Sequence, residues 1–345
     1  LKRPHLTWVT LPLLVAAAAV LAGWTARRTN GDTVQVNRLD LIDIDGQFQS
    51  VRARSWLTLY TPATRRYAME ARPAVLRPPG SGNPGDPAAA ARAALVSWSG
   101  TPESVFGGMY RSGGLEVGRP PYEFGTGAGS IRNLPLSIWA TKDLEAQWHN
   151  ASAALVESDL ALTPGGQLRG RITQHLTVPI EDWIIAIGRR VYIPGRRGDV
   201  VSLRPGTAWP GDANWEAVPY RELGAYLTGT AVTRVIRQDR NVLPKNEDYR
   251  PSQRKYDPFD VSHGDPVEEI LRMITFHRAA GGKAYTGLDN HGFRGEELSE
   301  MLDLGRAVLF GRVDLAATEF EINGEPADDR AARRSAFVRI VLPVD

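Results

Sequence analysis

Residues 33–60 read TVQVNRLDLIDIDGQFQSVRARSWLTLY. Thr33, Gln35 and Asn37 alternate with Val34, Val36 and Arg38, and Leu39, Leu41 and Ile44 follow. This period of two is the strand signature, because successive side chains of a strand point to opposite faces. Asp45-Gly46 then separates this run from Phe48–Tyr60, a second β-rich run. Asp-Gly between two such runs predicts a hairpin. Thr61-Pro62 ends the second strand, since proline donates nothing to a ladder, and Arg66–Ala71 can return as a third. The chain therefore reads as mainly β.

Upstream, Leu6–Ala26 is a run of 21 residues without a charge. As a helix it covers about 30 Å, the thickness of a bilayer's hydrocarbon core. Trp8 and Trp24 sit near its ends, where amphipathic rings favour the interface. Lys2 and Arg3 flank one side, Arg27 and Arg28 the other, so the positive-inside count is a tie. A cleaved signal peptide, with Ala17–Ala22 as its small-residue exit, is the competing reading. A buried soluble helix fits less well, because the run lacks a polar face. The opening Leu1 is read as the start of a fragment of a longer protein.

Downstream, residues 72–93 hold five prolines and three glycines, too many for a core, and read as an exposed excursion. Gly107–Gly129 is glycine-rich without phosphate-loop spacing, and reads as an irregular loop laid over the sheets. From Leu134 to Leu203 strand follows strand, with Trp139, Trp148 and Trp183 as natural core anchors. Residues 234–257 are dense in charge and read as a solvated loop. Pro266–Ala280 reads as a helix capped by Asp265, with Pro266 at its first position, Ile270, Leu271, Ile274 and Phe276 as its apolar stripe, and Gly281-Gly282 as its stop. A shorter helix is expected near Glu296–Leu304, with closing strands at Arg306–Asp314 and Ala336–Val344. The expected organisation is a membrane helix with flanks over 1–28 and a β-rich domain over 30–345, with a sub-boundary near 228–262. The expected fold is a mainly β, antiparallel β-sandwich with two peripheral helices, preceded by one transmembrane helix. Trp183 lies in DWIIAI, apolar on both faces, and is expected between the sheet and a covering layer, the Pro266–Ala280 helix.

Across all 345 residues, 41 Lys+Arg balance 39 Asp+Glu, which gives no electrostatic case for nucleic acid. Cysteine is absent, which excludes a disulfide scaffold, a thiolate metal site and a cysteine nucleophile. His263, Asp265, Asp289 and His291 read as turn and cap chemistry rather than a ligand set. Glu181, Asp182 and Glu216 are carboxylates a glycosidase could use, and read more simply as surface charges or loop caps. Tyr110, Tyr122, Phe124, Trp209 and Trp215 could line a groove, although packing is the commoner role of such residues. Asn150-Ala151-Ser152 matches a glycosylation acceptor to which no function is given. No catalytic, cofactor or metal residue is assigned, no cofactor is implied, and a small-molecule ligand is left open.

Several ordered stretches resemble a group of uncharacterised bacterial membrane proteins, many of them planctomycete. They are LKRPHLTWVTLPLLV, VNRLDLIDID, WLTLYTPATRRYAME, LPLSIWATKDLEAQW, GRITQHLTVPIEDWIIAIGRRVYIPG and the ending LDLGRAVLFGRVDL…AFVRIVLPVD. The resemblance implies a membrane helix running outward, followed by a periplasmic or exterior β-rich domain. Genes of that group often lie near MoxR-type ATPases and von Willebrand factor A-like membrane proteins. Other envelope membrane proteins are thus the implied partners, and a non-enzymatic scaffold or interaction subunit the implied role. A carbohydrate-active hydrolase or a glycan-binding module is the alternative.

Overall fold

The computed structural model describes residues 4–31, 33–76, 94–98, 123–125, 127–150, 154–195, 201–211, 215–236, 247–252, 254–258, 265–288, 295–327 and 331–345. In chain order the strands are β1 (Gln35–Asp45), β2 (Ser50–Thr61), β3 (Arg65–Pro73), β4 (Leu95–Trp98), β5 (Glu123–Phe124), β6 (Ser130–Leu136), β7 (Ala140–Asn150), β8 (Val156–Ser158), β9 (Ala161–Leu162), β10 (Leu168–Arg169), β11 (Ile172–Gln174), β12 (Ile180–Ile187), β13 (Arg190–Tyr192), β14 (Tyr220–Glu222), β15 (Ala231–Ile236), β16 (Glu247–Ser252), β17 (Ala307–Val313), β18 (Thr318–Ile322), β19 (Glu325–Pro326) and β20 (Ala331–Leu342). The helices are α1 (Pro4–Asn30), α2 (Leu223–Thr228), α3 (Pro266–Thr275), α4 (Lys283–Thr286) and α5 (Ser299–Asp303).

The chain is mainly β. One sheet of nine strands runs β14-β13-β12-β17-β20-β1-β2-β7-β4, and a five-stranded sheet runs β19-β18-β3-β6-β5. The hairpin predicted at Asp45-Gly46 is present: β1 pairs antiparallel with β2 from Gln35↔Tyr60 to Asp45↔Ser50. The Asp45 carboxylate accepts the Gln47 and Phe48 amides at 2.9 and 3.0 Å and so shapes the loop. The large sheet is not wholly antiparallel, because β20 lies parallel to β1 on its other side. Alternation along a strand reports which face is buried, not which strand sits beside it. β3 does not extend the β1–β2 hairpin either. It crosses to the smaller sheet, between β18 and β6.

Each face of the large sheet has its own core. On one side Val36, Ile42 and Ile44 share a cluster with Tyr67 and Met69 of β3, Ile131 and Leu134 of β6, and Phe320 of β18. On the other, Leu41, Ile184, Phe310 and Phe337 pack with Leu223 of α2, Leu271 and Met273 of α3, Phe276 and Leu302. Asp265 caps α3 as its sequence predicts, accepting the Val267 amide at 2.9 Å. The buried side of α3 is Leu271, Met273 and Thr275, with Phe276 just beyond; Ile270 and Ile274 are only half-buried. Two helices were expected, and α2, α4 and a 3₁₀ turn at Trp215–Ala217 add to them. Within the region expected to be a polar loop, β15 and β16 pair from Ala231↔Ser252 to Ile236↔Glu247. The β-branched run Val232-Thr233…Val235-Ile236 favours the strand despite the charge nearby. Most of the 72–93 excursion and of the 107–129 stretch lies outside the described residues.

α1 carries the uncharged run. Its described side chains within that run, residues 10–25, are all exposed. Among the described residues no helix is long and apolar enough to cross a membrane. The uncharged run of the sequence, Leu6–Ala26, extends past those side chains at both ends.

Trp183 is buried, but not against α3. Ile180↔Val313 and Glu181↔Arg312 are followed by Ile184↔Phe310, so Asp182 and Trp183 together face Gly311. This is a β-bulge, with Asp182 in the left-handed region at φ 47°. The extra residue shifts the phase of β12. Trp183, Ile185 and Ile187 then face the same core as Ile180, and Ile184 and Ala186 turn to the helices. The Trp183 indole donates to the Val201 carbonyl at 2.9 Å and meets Trp209 edge-on at 4.7 Å. A Cβ at Gly311 would lie 2.8 Å from Trp183 Cβ and closer still to Ile180.

Trp183→Ala is therefore expected to cost on the order of 3–5 kcal/mol. Gly311→Ala, a smaller chemical change, is expected to cost about 1–3 kcal/mol by overpacking the bulge. Thermal melts check both. A Gly311→Ala variant that melts with wild type would mean that the bulge opens without penalty.

Candidate functional site

The sheet face that carries the helices also carries a row of charges. Cross-strand register places Arg339 of β20 beside Asp43 of β1, and Asp43 beside Arg52 of β2. Arg339 is almost wholly removed from water, at 1% exposure. Its Nε and Nη2 donate to the two Asp43 oxygens at 2.6 and 2.9 Å. Nη2 also donates to Glu296 Oε2 at 2.9 Å. Nη1 donates to the Glu296 carbonyl at 2.5 Å and to Thr275 Oγ1 at 3.3 Å. Five bonds thus match the five N–H groups of a guanidinium. Asp43 takes two more from Arg52, at 3.2 and 2.7 Å. Glu296, itself buried, pairs with Arg54 as well.

Burial pushes the Asp43 carboxyl up, but Arg339 and then Arg52 outweigh it and hold the group below the ordinary carboxylate value. Burial lowers the Arg339 pKa, and Asp43 and Glu296 more than restore it. Glu145 of β7 behaves oppositely. Partial burial raises it, Arg54 counters in part, and Glu296 raises it further. Chemically the row is a compensated clamp. It ties the segment at Glu296 and the end of α3 to the middle of the large sheet, with each carboxylate neutralised by a guanidinium. A different pair, Arg38 with Asp40 at 2.6 Å, lies between the two larger sheets with both side chains wholly buried, and there burial outweighs Arg38 and Ser55 and raises the Asp40 carboxyl above the ordinary value. Ser55 Oγ donates to Asp40 and lies 2.8 Å from Thr318 Oγ1.

A cleft of about 240 Å³ opens where Gly188-Arg189 meet Glu222–Gly224, Arg278-Ala279 and α5. Its charges alternate and are engaged. Arg278 bonds Asp303, Arg189 lies 3.9 Å from Glu222, and Glu222 caps α2. The volume falls below the range of about 300–1,000 Å³ usual for organic ligands.

The carboxylates singled out in the sequence do not converge. Asp182 is exposed and Glu181 half-buried, and they lie 2.8 and 3.8 Å from Arg312. Glu216 is exposed in the 3₁₀ turn. Asp265 is a helix cap, as expected. His263, Asp289, His291, Tyr110 and Tyr122 lie outside the described residues, as do residues 151–153 of the glycosylation motif. Trp209 and Trp215 meet each other at 4.8 Å, and Trp215 is buried and bonds the Gly170 carbonyl. These two pack against the core; Phe124 is exposed. The Asp43–Arg339–Glu296 row was not singled out in the sequence. Its signal is a charge flanked by apolar neighbours within a strand, Asp43 in LIDI and Arg339 in FVRIVL.

No protein-family model matches the chain, and no curated protein matches it. Among solved structures it is similar to the yeast delta-COP-I mu-homology domain complexed with a Dsl1 WxWxV peptide. The identity is 6%, the match covers 90% of this chain and 95% of that one, and the TM-score is 0.29. A likeness at that score supports no argument about fold or partner.

Arg339→Met would leave Asp43 and Glu296 short of their main partner and is expected to cost about 3–5 kcal/mol. Because the Asp43 pKa is lowered by folding, its contribution is complete above the unfolded value, near 4, and is lost as pH falls through the folded value. Melts from neutral pH down to acid should therefore show a steeper loss in wild type than in Arg339→Met. Equal acid slopes would deny the row its role.

Proposed function

We propose that this chain is a membrane-anchored envelope protein, with α1 inserted in the bilayer and the β-rich domain outside the cytoplasm as a non-enzymatic scaffold or interaction subunit. One observation carries the reading. α1 presents apolar side chains to solvent in every direction, with Leu11, Leu14, Val15, Val20, Leu21 and Trp24 each more than half exposed. A helix apolar all round needs a lipid or protein environment. At 27 residues it is about 40 Å long, enough to reach across a bilayer with its flanks. Arg28 sits over the Trp24 ring at 5.3 Å, a pairing suited to the headgroup layer. The outward direction of α1 rests on the resemblance described above, as does partnership with other envelope membrane proteins. The two larger sheets are read as the layers of a β-sandwich, which their shared core of Ile42, Tyr67, Ile131 and Phe320 supports. Compensation of charge within the Asp43–Arg339–Glu296 row favours a structural over a catalytic use of that row.

The full chain expressed in a bacterial host should stay in the membrane pellet after alkaline carbonate extraction. Release to the supernatant would overturn the anchor. Because the chain has no cysteine, Lys255→Cys gives a single exposed thiol. It should react with an impermeant maleimide in intact spheroplasts, and labelling only after lysis would overturn the outside location.

A further inference from the structure

We infer that the β-turn joining β6 to β7, Ser137–Ala140, is a second membrane contact: an interfacial foot that rests on the lipid headgroups beside α1. The inference rests on the anchored reading above and adds to it the face of the domain that meets the lipid.

The topology puts the turn in the right place. β1 begins at Gln35, five residues after α1 ends at Asn30, so the connection spans at most about 18 Å. Register runs from Gln35 to Tyr60 and from Tyr60 to Thr141. The turn therefore lies two strands, roughly 10 Å, from the point at which the chain enters the sheet. The Trp139 amide donates to the Thr61 carbonyl at 2.8 Å, which fixes it at that end.

The turn's residues are wrong for a turn whose only task is to reverse the chain. The Ala140 amide closes it on the Ser137 carbonyl at 3.1 Å, with Ile138 and Trp139 at the centre. Trp139 has φ 59°, at a position where glycine or asparagine is the unstrained choice. A bulky residue there is an outlier of the kind that accumulates at functional sites. Ile138 and Trp139 are nevertheless 48% and 38% exposed. The neighbouring loop braces them, Thr64 Oγ1 accepting the Ile138 amide at 3.0 Å. Two large apolar side chains are thus held out of the core on a rigid support.

The surroundings fit an anionic headgroup layer. Arg65 and Arg66, exposed, follow the bracing loop and lie opposite Leu136 and Pro135. Arg333, also exposed, lies in the first residues of β20 opposite Asn37 at the same end. Of the carboxylates on this side, Asp314 is paired with Arg334, and Asp143 accepts from the neutral Thr58 hydroxyl and keeps its charge, which the three arginines outnumber. An indole with arginines around it is the composition favoured at the membrane–water boundary. An aqueous protein partner would draw no benefit from the foot's position beside α1, so lipid is the occupant assigned.

Spin labels on the full chain test this, since every introduced cysteine is the only one. Ser137→Cys reports the foot and Leu21→Cys reports α1. Gln47→Cys, exposed at the opposite end of β1 and about 35 Å away, reports bulk water. In phosphatidylcholine–phosphatidylserine vesicles, accessibility to oxygen and to a water-soluble nickel complex is read by power saturation. We expect Leu21→Cys to be dominated by oxygen, and nickel access at Ser137→Cys to fall severalfold below that at Gln47→Cys. Adding Ile138→Ser and Trp139→Ser should restore it, with the thermal melt unchanged. If Leu21→Cys is oxygen-dominated while Ser137→Cys is as open to nickel as Gln47→Cys, the foot is overturned and the anchor stands. If Leu21→Cys is itself open to nickel, the anchor falls and the foot with it. Protection of Ser137→Cys that survives the double serine change also overturns the role given to these two side chains.

Discussion

Arg339 is a guanidinium held out of water in the middle of a nine-stranded sheet, and three separate parts of the chain meet on it. Its bonds to Asp43 join β20 to β1, and its bonds to Glu296 and Thr275 bring the segment before α5 and the end of α3 onto the same face. Removing such a charge from water is costly, and the cost is offset only if every donor finds an acceptor in good geometry. That condition is demanding, and it gives the arrangement specificity. A one-residue slip of β20 against β1 would turn Arg339 to the opposite face and strand Asp43 and Glu296. Apolar pairs such as Phe310 with Phe337 stabilise the layer, but they tolerate sliding far better than a bidentate ion pair does.

What the sequence disclosed follows from which interactions are local. The β1–β2 hairpin was legible because alternation and an Asp-Gly turn lie within one stretch. The α3 cap was legible because Asp265, Pro266 and the acidic first turn are adjacent. The parallel partner of β1 was not, since nearly 300 residues separate β1 from β20. The charged row was not singled out either, although Asp43 and Arg339 each sit between apolar neighbours. Only register shows that Asp43, Arg52 and Arg339 share one row. Likewise, of the carboxylates the sequence offered as candidates, Glu181 and Asp182 pair with Arg312, Asp265 caps a helix and Glu216 lies exposed in a turn. Nothing in their own neighbourhoods marked them as anything else.

Trp183 shows how one residue of phase reverses a packing argument. The run Trp183-Ile184-Ile185-Ala186-Ile187 is apolar on both faces, so burial was secure, but which layer receives the indole depends on the residue before it. Asp182 in the left-handed region inserts the bulge, and Gly311 opposite makes room for it. Without the bulge Ile180 and Trp183 would face opposite sides of the sheet. With it they share one core, and the helices are left to Ile184 and Ala186.

The parallel pairing of β1 and β20 also bears on how the domain would carry a load from α1. Tension transmitted through Asn30 arrives at the start of β1. β20 runs the same way, so its far end, near Leu342, lies at the opposite end of the strands. A force between the start of β1 and any partner gripping that far end acts along the strands. It must shear the register from Val36↔Ala331 to Asp45↔Val341 together rather than open it one bond at a time. The Asp43–Arg339 ion pair lies within that register. Sliding the strands by one residue would break the two bonds that Arg339 donates to Asp43. Topology and electrostatics therefore resist the same displacement, and they do so at the strand through which α1 joins the domain.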